Sequence, residues 1–384
     1  MFKKIALFVS FLLLAIAVSV MVALMVGRHD LVEQEKEWIA LGGTLDPADL
    51  APPEMPDAEN AAVAYEPVFV FFDELTEDES NLLGADPAEE PNLIAVLDKS
   101  AEVIAQLRNA SRMEKCRWDI HYEEGINVLL PHLGQVRNAS RLLTSDARRA
   151  AAEGRDEDAV RDIETILRLG LHVSNDQTLV GQLVTAAVLN QGVLLYEDVF
   201  RNRSAPLNDI AKIAVEYDSR ALFRRALMGE VATMRQAERE AMNGRSLPPA
   251  IRSFLVWDRV YYLRTMRHAV IDADKPFYDA APLDIDPPFY AFLSSLVLPA
   301  LDRAAASLAT TQLWVTMLQT AEKLRAYKAE HEAYPETGSI SAIKMPIDPV
   351  TGRPLIYERL DGGGFVLTSE VKDGDGKNVE WRWN

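Results

Sequence analysis

Hydrophobic and polar positions divide the chain into an unbroken apolar run, a long region of helical periodicity and a short region of alternation. The run, residues 5–27, reads IALFVSFLLLAIAVSVMVALMVG and contains no charged residue. At about 1.5 Å per residue, a helix of this length spans roughly 34 Å, enough to cross the hydrocarbon core of a bilayer. The run therefore predicts an N-terminal transmembrane helix that contacts the lipid bilayer.

Two interpretations of this run differ in whether it is removed. A cleaved secretory signal has an apolar core of roughly 7 to 15 residues and a small-x-small cleavage site. This core is longer and ends in MVALMVGRHD, which favours an uncleaved anchor. Lys3 and Lys4 precede the run, whereas only Arg28 and His29 follow it before acidic residues begin. This charge bias predicts a cytoplasmic N-terminus and an extracytoplasmic body, as in a single-pass protein of a bacterial inner membrane.

Residues 29–57 predict a connection between the anchor, residues 1–28, and a folded body. The first part, LVEQEKEWIAL, carries charges that suit a solvated continuation of the membrane helix. Gly42 and Gly43 are expected to end that helix, and TLDPADLAPPEMPD is rich in Pro and Asp. Because proline fixes φ and lacks a backbone donor, we expect an extended spacer that holds the body off the membrane.

Residues 58–298 predict an extracytoplasmic α-helical domain, because apolar positions recur there with a period near 3.6. The helix over residues 176–202 is apolar on most faces, which predicts burial at the centre of the domain. Residues 76–91 are expected to form an acidic loop. The other expected helices cover residues 57–67, 92–113, 131–153, 157–173, 207–217, 219–243, 289–297 and a segment that starts at Pro248-Pro249.

The two helices around Gly154 resemble a tetratricopeptide (TPR) hairpin. Their sequence, ARRAAAEGRDEDAVRDIETILRL, has small residues, a turn at Gly154, and then Ala159 followed by large apolar residues. A repeat array needs a period near 34 residues over at least three units, and the pattern is not found again downstream. A TPR-like array and an isolated αα-hairpin both stay open, and the isolated hairpin is favoured.

Residues 299–384 change from helical periodicity to alternation. A long helix is expected from Pro299 to near Ala333, followed by a tight turn at IDPVTG. The segments PLIYERL, GGGFVLTSE and NVEWRW predict three short strands. The predicted fold class is mainly α, with an N-terminal transmembrane helix, a helical-hairpin (TPR-like) body, and a long helix leading into a small C-terminal antiparallel β module.

Composition narrows the classes of partner. The formal net charge is −18, and without Lys3, Lys4 and Arg28 the remaining chain has 37 basic against 58 acidic residues, a balance of −21. Such a surface repels polyanions, so we expect no nucleic-acid partner. Cys116 is the only cysteine, which excludes an intramolecular disulfide and a thiolate metal cluster. A small apolar role in a helix is favoured for Cys116 over a nucleophile.

The chain ending is similar to the C-terminal module of the major pseudopilins of type II secretion. Both have a helix, a Tyr-Pro pair (here Tyr334-Pro335), an Asp-Pro turn, a Tyr-bearing strand and a Gly/Asp-rich loop. The N-terminus lacks the Gly-Phe processing site and the fifth-position glutamate of pilins. The whole layout also looks like a group of uncharacterised bacterial single-pass membrane proteins that share ENAA at residues 59–62, Tyr65 and LVGQL at residues 179–183. These resemblances imply an architecture and no activity.

Asp373 and Asp375 are the candidate metal ligands. The resemblance to major pseudopilins implies calcium in the loop DGDGKN, and closely spaced carboxylates suit a hard cation. The loop departs from an EF-hand because Lys377 takes a ligand position and no glutamate follows at the twelfth position. A calcium site and a simple turn between strands both stay open, and the turn is favoured.

Catalytic residues stay unassigned. The sequence has no HExxH, HxH, GxSxG, Walker or GxGxxG motif. The densest polar cluster contains His121, Glu123 and Glu124, and His268 lies one helical turn before Asp272 in a spacing that suits an acid-base pair. A surface hydrogen bond is the favoured interpretation of the second pair.

Two hypotheses of function follow. The first is a membrane-tethered interaction or scaffold protein that binds another envelope protein. The second is an extracytoplasmic hydrolase whose acid and base residues, with His121, Glu123 and Glu124 as first candidates, assemble only in the fold. A deep pocket with perturbed pKa values would favour the enzyme, and a shallow surface of exposed apolar side chains would favour the binding protein.

Overall fold

The computed structural model describes residues 2–206, 208–242, 247–281, 286–337 and 343–384, and this part of the chain is mostly helical. The helices are α1 (Phe2–Ala40), α2 (Ala61–Asp73), α3 (Glu77–Leu82), α4 (Leu93–Lys99), α5 (Ala101–Ala110), α6 (Pro131–Ala152), α7 (Asp156–Val173), α8 (Leu179–Phe200), α9 (Ile210–Ala214), α10 (Ser219–Met242), α11 (Pro249–Asp272) and α12 (Phe292–His331). The strands are β1 (Ile356–Arg359), β2 (Phe365–Lys372) and β3 (Asn378–Trp383). The coarse prediction of a mainly helical chain with a small C-terminal sheet is confirmed.

We call the part of the chain after α1 the body. Helices α6, α7 and α8 form an antiparallel layer at the centre of this body. Gly154 has a positive φ of 74° in the turn between α6 and α7, which glycine adopts without strain. A Cβ atom at Gly192 would lie 2.9 Å from Leu167, so the missing side chain lets α8 approach α7 closely. Most of α8 is buried, as its apolar sequence predicts.

A buried ion cluster joins α5, α6 and α7. The guanidinium of Arg108 donates hydrogen bonds to Asp162 Oδ1 (2.7 Å) and to Asp146 Oδ2 (3.1 Å). Asp162 is fully buried, and burial raises the pKa of its carboxyl group well above the usual value. The guanidinium of Arg108 therefore binds two carboxyl groups of the helical layer, one on α6 and one on α7.

His172 fastens α7 to α2 and to the loop before α6. Its Nδ1 atom lies 2.9 Å from the hydroxyl of Tyr65, and its Nε2 atom lies 2.9 Å from the carbonyl oxygen of Met113. The indole of Trp118 donates to the carbonyl of His172 at 3.0 Å. Burial lowers the pKa of His172 to about 4, so the ring is neutral at neutral pH.

The predicted helix over residues 92–113 is two helices, α4 and α5. The break falls at the fully buried Ser100, whose hydroxyl donates to the carbonyl of Val96, as serine side chains do when they compete with helical backbone bonds. The predicted acidic loop contains α3, because Thr76 and Glu79 form a reciprocal capping box that starts a helix. In each case one polar side chain changes the local structure. Ser100 interrupts a helix within an amphipathic sequence, and Thr76 starts a helix within an acidic one.

The segment after α1 is not the extended spacer that its Pro and Asp content predicts. Leu50 is buried, and its carbonyl accepts a hydrogen bond from the side chain of Gln177 in the body. Trp38 is fully buried near the end of α1, and a Cβ atom at Gly43 would overlap its indole ring. Residues 44–57 therefore pack against the body, which stays close to the end of the anchor.

The β module is an antiparallel sheet in the order β1-β2-β3, with an irregularity in the β2–β3 register between Thr368 and Lys372. The buried Asp348 holds the predicted IDPVTG turn, since its carboxylate accepts the backbone N–H of Val350 at 2.7 Å. The module docks on α8, where Arg382 N donates to the side chain of Glu197 at 3.0 Å.

Helix α12 starts earlier than the expected long helix. It runs through Pro299, where the sequence predicts a helix start, and absorbs the short apolar helix expected before it. Proline at this position leaves the carbonyl of Ser295 without its helical partner, and Ser295 is only partly buried, so the break in hydrogen bonding is tolerated.

Candidate functional site

Three of the described helices, α1, α8 and α12, are long and apolar enough to cross a membrane. They differ in how far the body covers them. Only 6% of the most apolar window of α1 is buried, compared with 61% for α8 and 33% for α12. The apolar window of α1 is thus the least covered of the three, and the place where α1 meets the body is the candidate functional site.

Helix α11 packs along the second half of α1. On α1, the buried and partly buried residues recur at intervals of three and four, which is the seam of a helix pair. They include Val20, Leu24, Gly27, Leu31, Gln34 and Trp38. A Cβ atom at Gly27 would lie 3.0 Å from Val256 and 3.1 Å from the indole of Trp257. The absence of a side chain at Gly27 therefore sets the close approach of the two helices.

Gly27→Leu is expected to separate α1 from α11. The larger side chain overlaps Val256 and Trp257, and overpacking of this kind costs about 2 kcal/mol of stability. We expect a lower thermal midpoint of the full-length protein in detergent micelles, monitored by near-ultraviolet circular dichroism. Gly134→Leu is the matched control, because Gly134 is also helical and no atom lies near its missing Cβ. Equal midpoints for the two variants would contradict the proposed packing at Gly27.

Charged residues hold the extramembrane end of α1. The Glu35 carboxylate lies 2.7 Å from the guanidinium of Arg259 on α11 and 3.1 Å from that of Arg235 on α10. Each of these three side chains is no more than 20% exposed. Glu37 forms a further ion pair with Arg267 of α11. Helix α1 is thus joined to two helices of the body beyond its apolar run.

The start of α12 is fixed beside α11. The buried carboxylate of Asp258 accepts the backbone N–H groups of Leu293 (2.7 Å) and Ser294 (3.1 Å), so it caps the first turn of α12. Just before α12, Phe289 packs edge-on against Phe254 of α11, with ring centroids 6.2 Å apart. The first turns of α11 and α12 therefore lie together.

The first turns of α11 and α12 and the residues just before α12 carry five large apolar side chains that are exposed. They are Ile251, Phe254, Phe289, Phe292 and Leu296, and we call them the foot. Phe289 is 89% exposed. Exposed aromatic side chains that lie together, as Phe254 and Phe289 do, are typical of a surface that contacts a protein or a membrane.

The foot lies at the level of the apolar run. The indole of Trp257 donates to the carbonyl of Ala23 at 3.1 Å, and Arg267 pairs with Glu37, so α11 runs parallel to α1. Phe254 precedes Trp257 by three residues, about 4.5 Å along α11. Its level on α1 is therefore near Val20, inside the run that the sequence predicts to cross the bilayer.

The polar cluster around His121 lies on open surface. His121 Nδ1 is 3.1 Å from Glu123 Oε1, and this hydrogen bond raises the pKa of His121. Both side chains are 62% exposed, and Glu124 is exposed as well. The structure brings His121 and Glu123 together without enclosing them.

The predicted pair of His268 and Asp272 is not an isolated couple. His268 is exposed, and Asp272 lies 2.6 Å from Lys275, whose hydrogen bond lowers the pKa of the carboxyl group. Asp272 also lines a cavity of about 270 Å³ between α10, α11 and α12. Arg220 at the wall of that cavity is held by the carbonyl of Ala273 and lies over the ring of Phe277. The cavity is otherwise lined mainly by alanine.

The two candidate calcium ligands lie in the exposed turn between β2 and β3. Asp373 Oδ1 accepts the backbone N–H groups of Asp375 (2.9 Å) and Lys377 (2.8 Å), so this oxygen organises the turn itself. Among the described residues, no group of three or more His, Cys, Asp or Glu side chains is arranged to hold a metal ion. Calcium binding by Asp373 and Asp375 stays a prediction.

Cys116 is buried, and burial raises the pKa of its thiol, which disfavours the reactive thiolate.

The sequence interpretation did not identify the foot. A signal was present in PPAIRSFLVW and PPFYAFLSSL, where a proline pair precedes apolar residues at helical spacing.

Comparisons with protein-family models, curated proteins and solved structures found no match to this chain.

Proposed function

We propose that the chain is a single-pass membrane protein whose helical body is seated on the bilayer by the foot and acts as a scaffold for another envelope protein. Residues 5–27 cross the bilayer in this proposal. The foot enters the leaflet beside them, and the rest of the body lies in the extracytoplasmic space.

The junction between α1 and the body carries the proposal. Helix α1 continues from the apolar run to Ala40 without a break. It is fastened to α11 by the close approach at Gly27, by the bond from Trp257 to Ala23, and by the ion pairs of Glu35. A rigid junction gives the body a fixed height and orientation, which a protein that presents a binding surface requires and a flexible tether does not provide.

Burial argues against a crossing by α8, and charge supports an N-terminus in the cytoplasm. The apolar window of α8 is largely covered by neighbouring helices, so crossing the membrane would expose a packed core. Lys3 and Lys4 precede the apolar run, and the chain after Arg28 is strongly acidic. The bacterial cytoplasmic membrane follows from the resemblance to bacterial single-pass proteins.

The scaffold part of the proposal draws on the antiparallel layer of α6, α7 and α8. An antiparallel helix pair such as α6 and α7 has the form of the repeating unit in TPR-like binding proteins. The pseudopilin-like reading of the C-terminal sheet is a further proposal, supported by the order of its helix, turn and strands.

The test is crosslinking of the full-length protein in its native membranes, with purification and mass spectrometry. We expect a stoichiometric envelope protein attached to peptides of the body. Residues 1–41 expressed alone are the control, because they keep the membrane helix and lack the body. Recovery of the protein alone at several detergent and salt conditions, or equal capture of a partner by residues 1–41, would contradict the scaffold proposal.

The hydrolase alternative gains no support from the described residues. His121 and Glu123, its first candidates, lie on open surface rather than in a pocket.

A further inference from the structure

A cavity of about 490 Å³ lies at the junction of α1, α11 and the residues before α12. Its volume falls within the roughly 300–1,000 Å³ of sites that hold a small ligand. The wall includes Val20, Ala23, Ser253, Phe254, Trp257 and Phe289.

Two polar groups in this wall donate hydrogen bonds to backbone carbonyls of α1. The hydroxyl of Ser19 donates to the carbonyl of Ala15 at 2.9 Å, and the indole N–H of Trp257 donates to Ala23. What remains facing the cavity is mainly aromatic and aliphatic carbon. An occupant is therefore selected by its apolar surface rather than by hydrogen bonds.

One wall of the cavity belongs to the apolar run of α1, which identifies the surroundings. Val20 and Ala23 lie within residues 5–27, so the cavity lies at a depth where the solvent is hydrocarbon. Arg28 is exposed five residues beyond Ala23, about 7.5 Å further along the helix. A long apolar chain in the cavity would thus have a cation near the level of a phosphate headgroup.

We propose that this cavity holds an acyl chain of a phospholipid from the surrounding leaflet. This inference rests on the proposed function, because it requires the foot to lie in the bilayer. The bound chain fills the space between α1 and the foot and completes the packing of the junction. The other occupants to be distinguished are water and an apolar segment of a second copy of the protein.

The experiment uses the full-length protein in phospholipid vesicles that contain a phosphatidylcholine with a photoreactive diazirine on one acyl chain. After illumination, adducts are mapped by peptide mass spectrometry. We expect adducts on the lipid-facing part of α1 and also on residues 250–257 and 289–290. A body without adducts, the result expected if water or a second copy fills the cavity, would overturn the inference.

Substitutions that fill the cavity test the acyl-chain site specifically. Ala250→Trp fills it from an exposed position on α11, and Val20→Phe fills it from α1. In both variants we expect the adducts on Ser253 and Trp257, which line the cavity and are not exposed, to fall about tenfold, the change that a loss of about 1.4 kcal/mol of binding free energy produces. Adducts on Phe254 and Phe289 are expected to persist, because these exposed side chains also meet the bulk lipid of the leaflet. Adducts at Leu7 and Leu14 are expected to stay unchanged.

Ala221→Trp is the matched control, because Ala221 is an exposed helical alanine on α10 that does not line the cavity. Its adduct pattern should equal that of the unaltered protein. Undiminished adducts on Ser253 and Trp257 in both filling variants would overturn the acyl-chain site and leave the seating of the foot intact. The seating itself is measured separately by the depth of labels on the foot, so the two failures are distinguishable.

Discussion

Glu35→Arg is expected to detach the body from α1. The substitution replaces a carboxylate between Arg235 and Arg259 with a third guanidinium in a partly buried site. Loss of one partner from a buried ion pair typically costs about 3–5 kcal/mol, and the partial exposure of these side chains favours the lower end of that range. We expect the free energy of unfolding of the full-length protein in detergent micelles to fall by about 3 kcal/mol.

Glu33→Arg is the control for this prediction. Glu33 lies on the same helix two residues earlier, where it pairs with Lys36 in solvent and touches neither guanidinium of the junction. Exposed pairs of this kind contribute about 0–1 kcal/mol. If denaturant titration gives the same loss for both variants, Glu35 does not fasten α1 to the body.

Acidification from pH 6.5 to pH 4 is expected to destabilise the protein through His172. Burial lowers the folded-state pKa of this ring to about 4, whereas an exposed histidine titrates near 6.5. Between these values the unfolded chain binds a proton that the folded chain does not, so the free energy of unfolding falls as the pH falls. The loss reaches about 3 kcal/mol at pH 4 and is absent above pH 6.5.

The contribution of His172 is isolated by comparing pH slopes. His172→Gln should have a smaller loss of stability between pH 6.5 and pH 4 than the unaltered protein, whatever its stability at neutral pH. His268→Gln, at an exposed position on α11, should keep the full slope. The raised pKa of Asp162 acts in the opposite direction, but it is common to all three proteins and cancels in the comparison. Equal slopes for the two variants would contradict a neutral buried His172.

The elements that the sequence predicts well are those with local causes. The hairpin of α6 and α7 follows from apolar periodicity and a glycine at the turn, and the three strands follow from alternation. The burial of α8 follows from its lack of a polar face. Each of these can be read from neighbouring residues without knowing what else packs nearby.

The junction depends on contacts between distant residues, which periodicity does not report. Val20 and Phe254 are 234 positions apart, and only the parallel alignment of α1 and α11 places them at one depth. The segment 44–57 has the composition of a spacer, yet Gln177 and the packing of Leu50 hold it against the body. The polar residues near His121 and near Asp272 are close together in the sequence, so they can be identified from it. The residues of the foot are divided between two segments, and each segment alone has the pattern of an ordinary helix.

The depth of the foot in the bilayer tests the central claim most directly. Nitroxide labels would be attached to single cysteines at Phe254, Phe292 and Leu296 in a Cys116→Ala background, and the full-length protein would be placed in phospholipid vesicles. Accessibility to oxygen and to a water-soluble nickel chelate is measured by electron paramagnetic resonance.

Val215 is the control, because it is 64% exposed and lies far from the foot. It lies two residues before Tyr217, whose hydroxyl donates to the carbonyl of Leu308. Leu308 is about 24 Å along α12 from Phe292.

We predict that the labels on the foot are accessible to oxygen and protected from the nickel chelate, and that the label at Val215 shows the reverse. Labels on the foot that are as accessible to the chelate as the label at Val215 would show that the foot lies in water. That result would contradict the seating of the body on the bilayer.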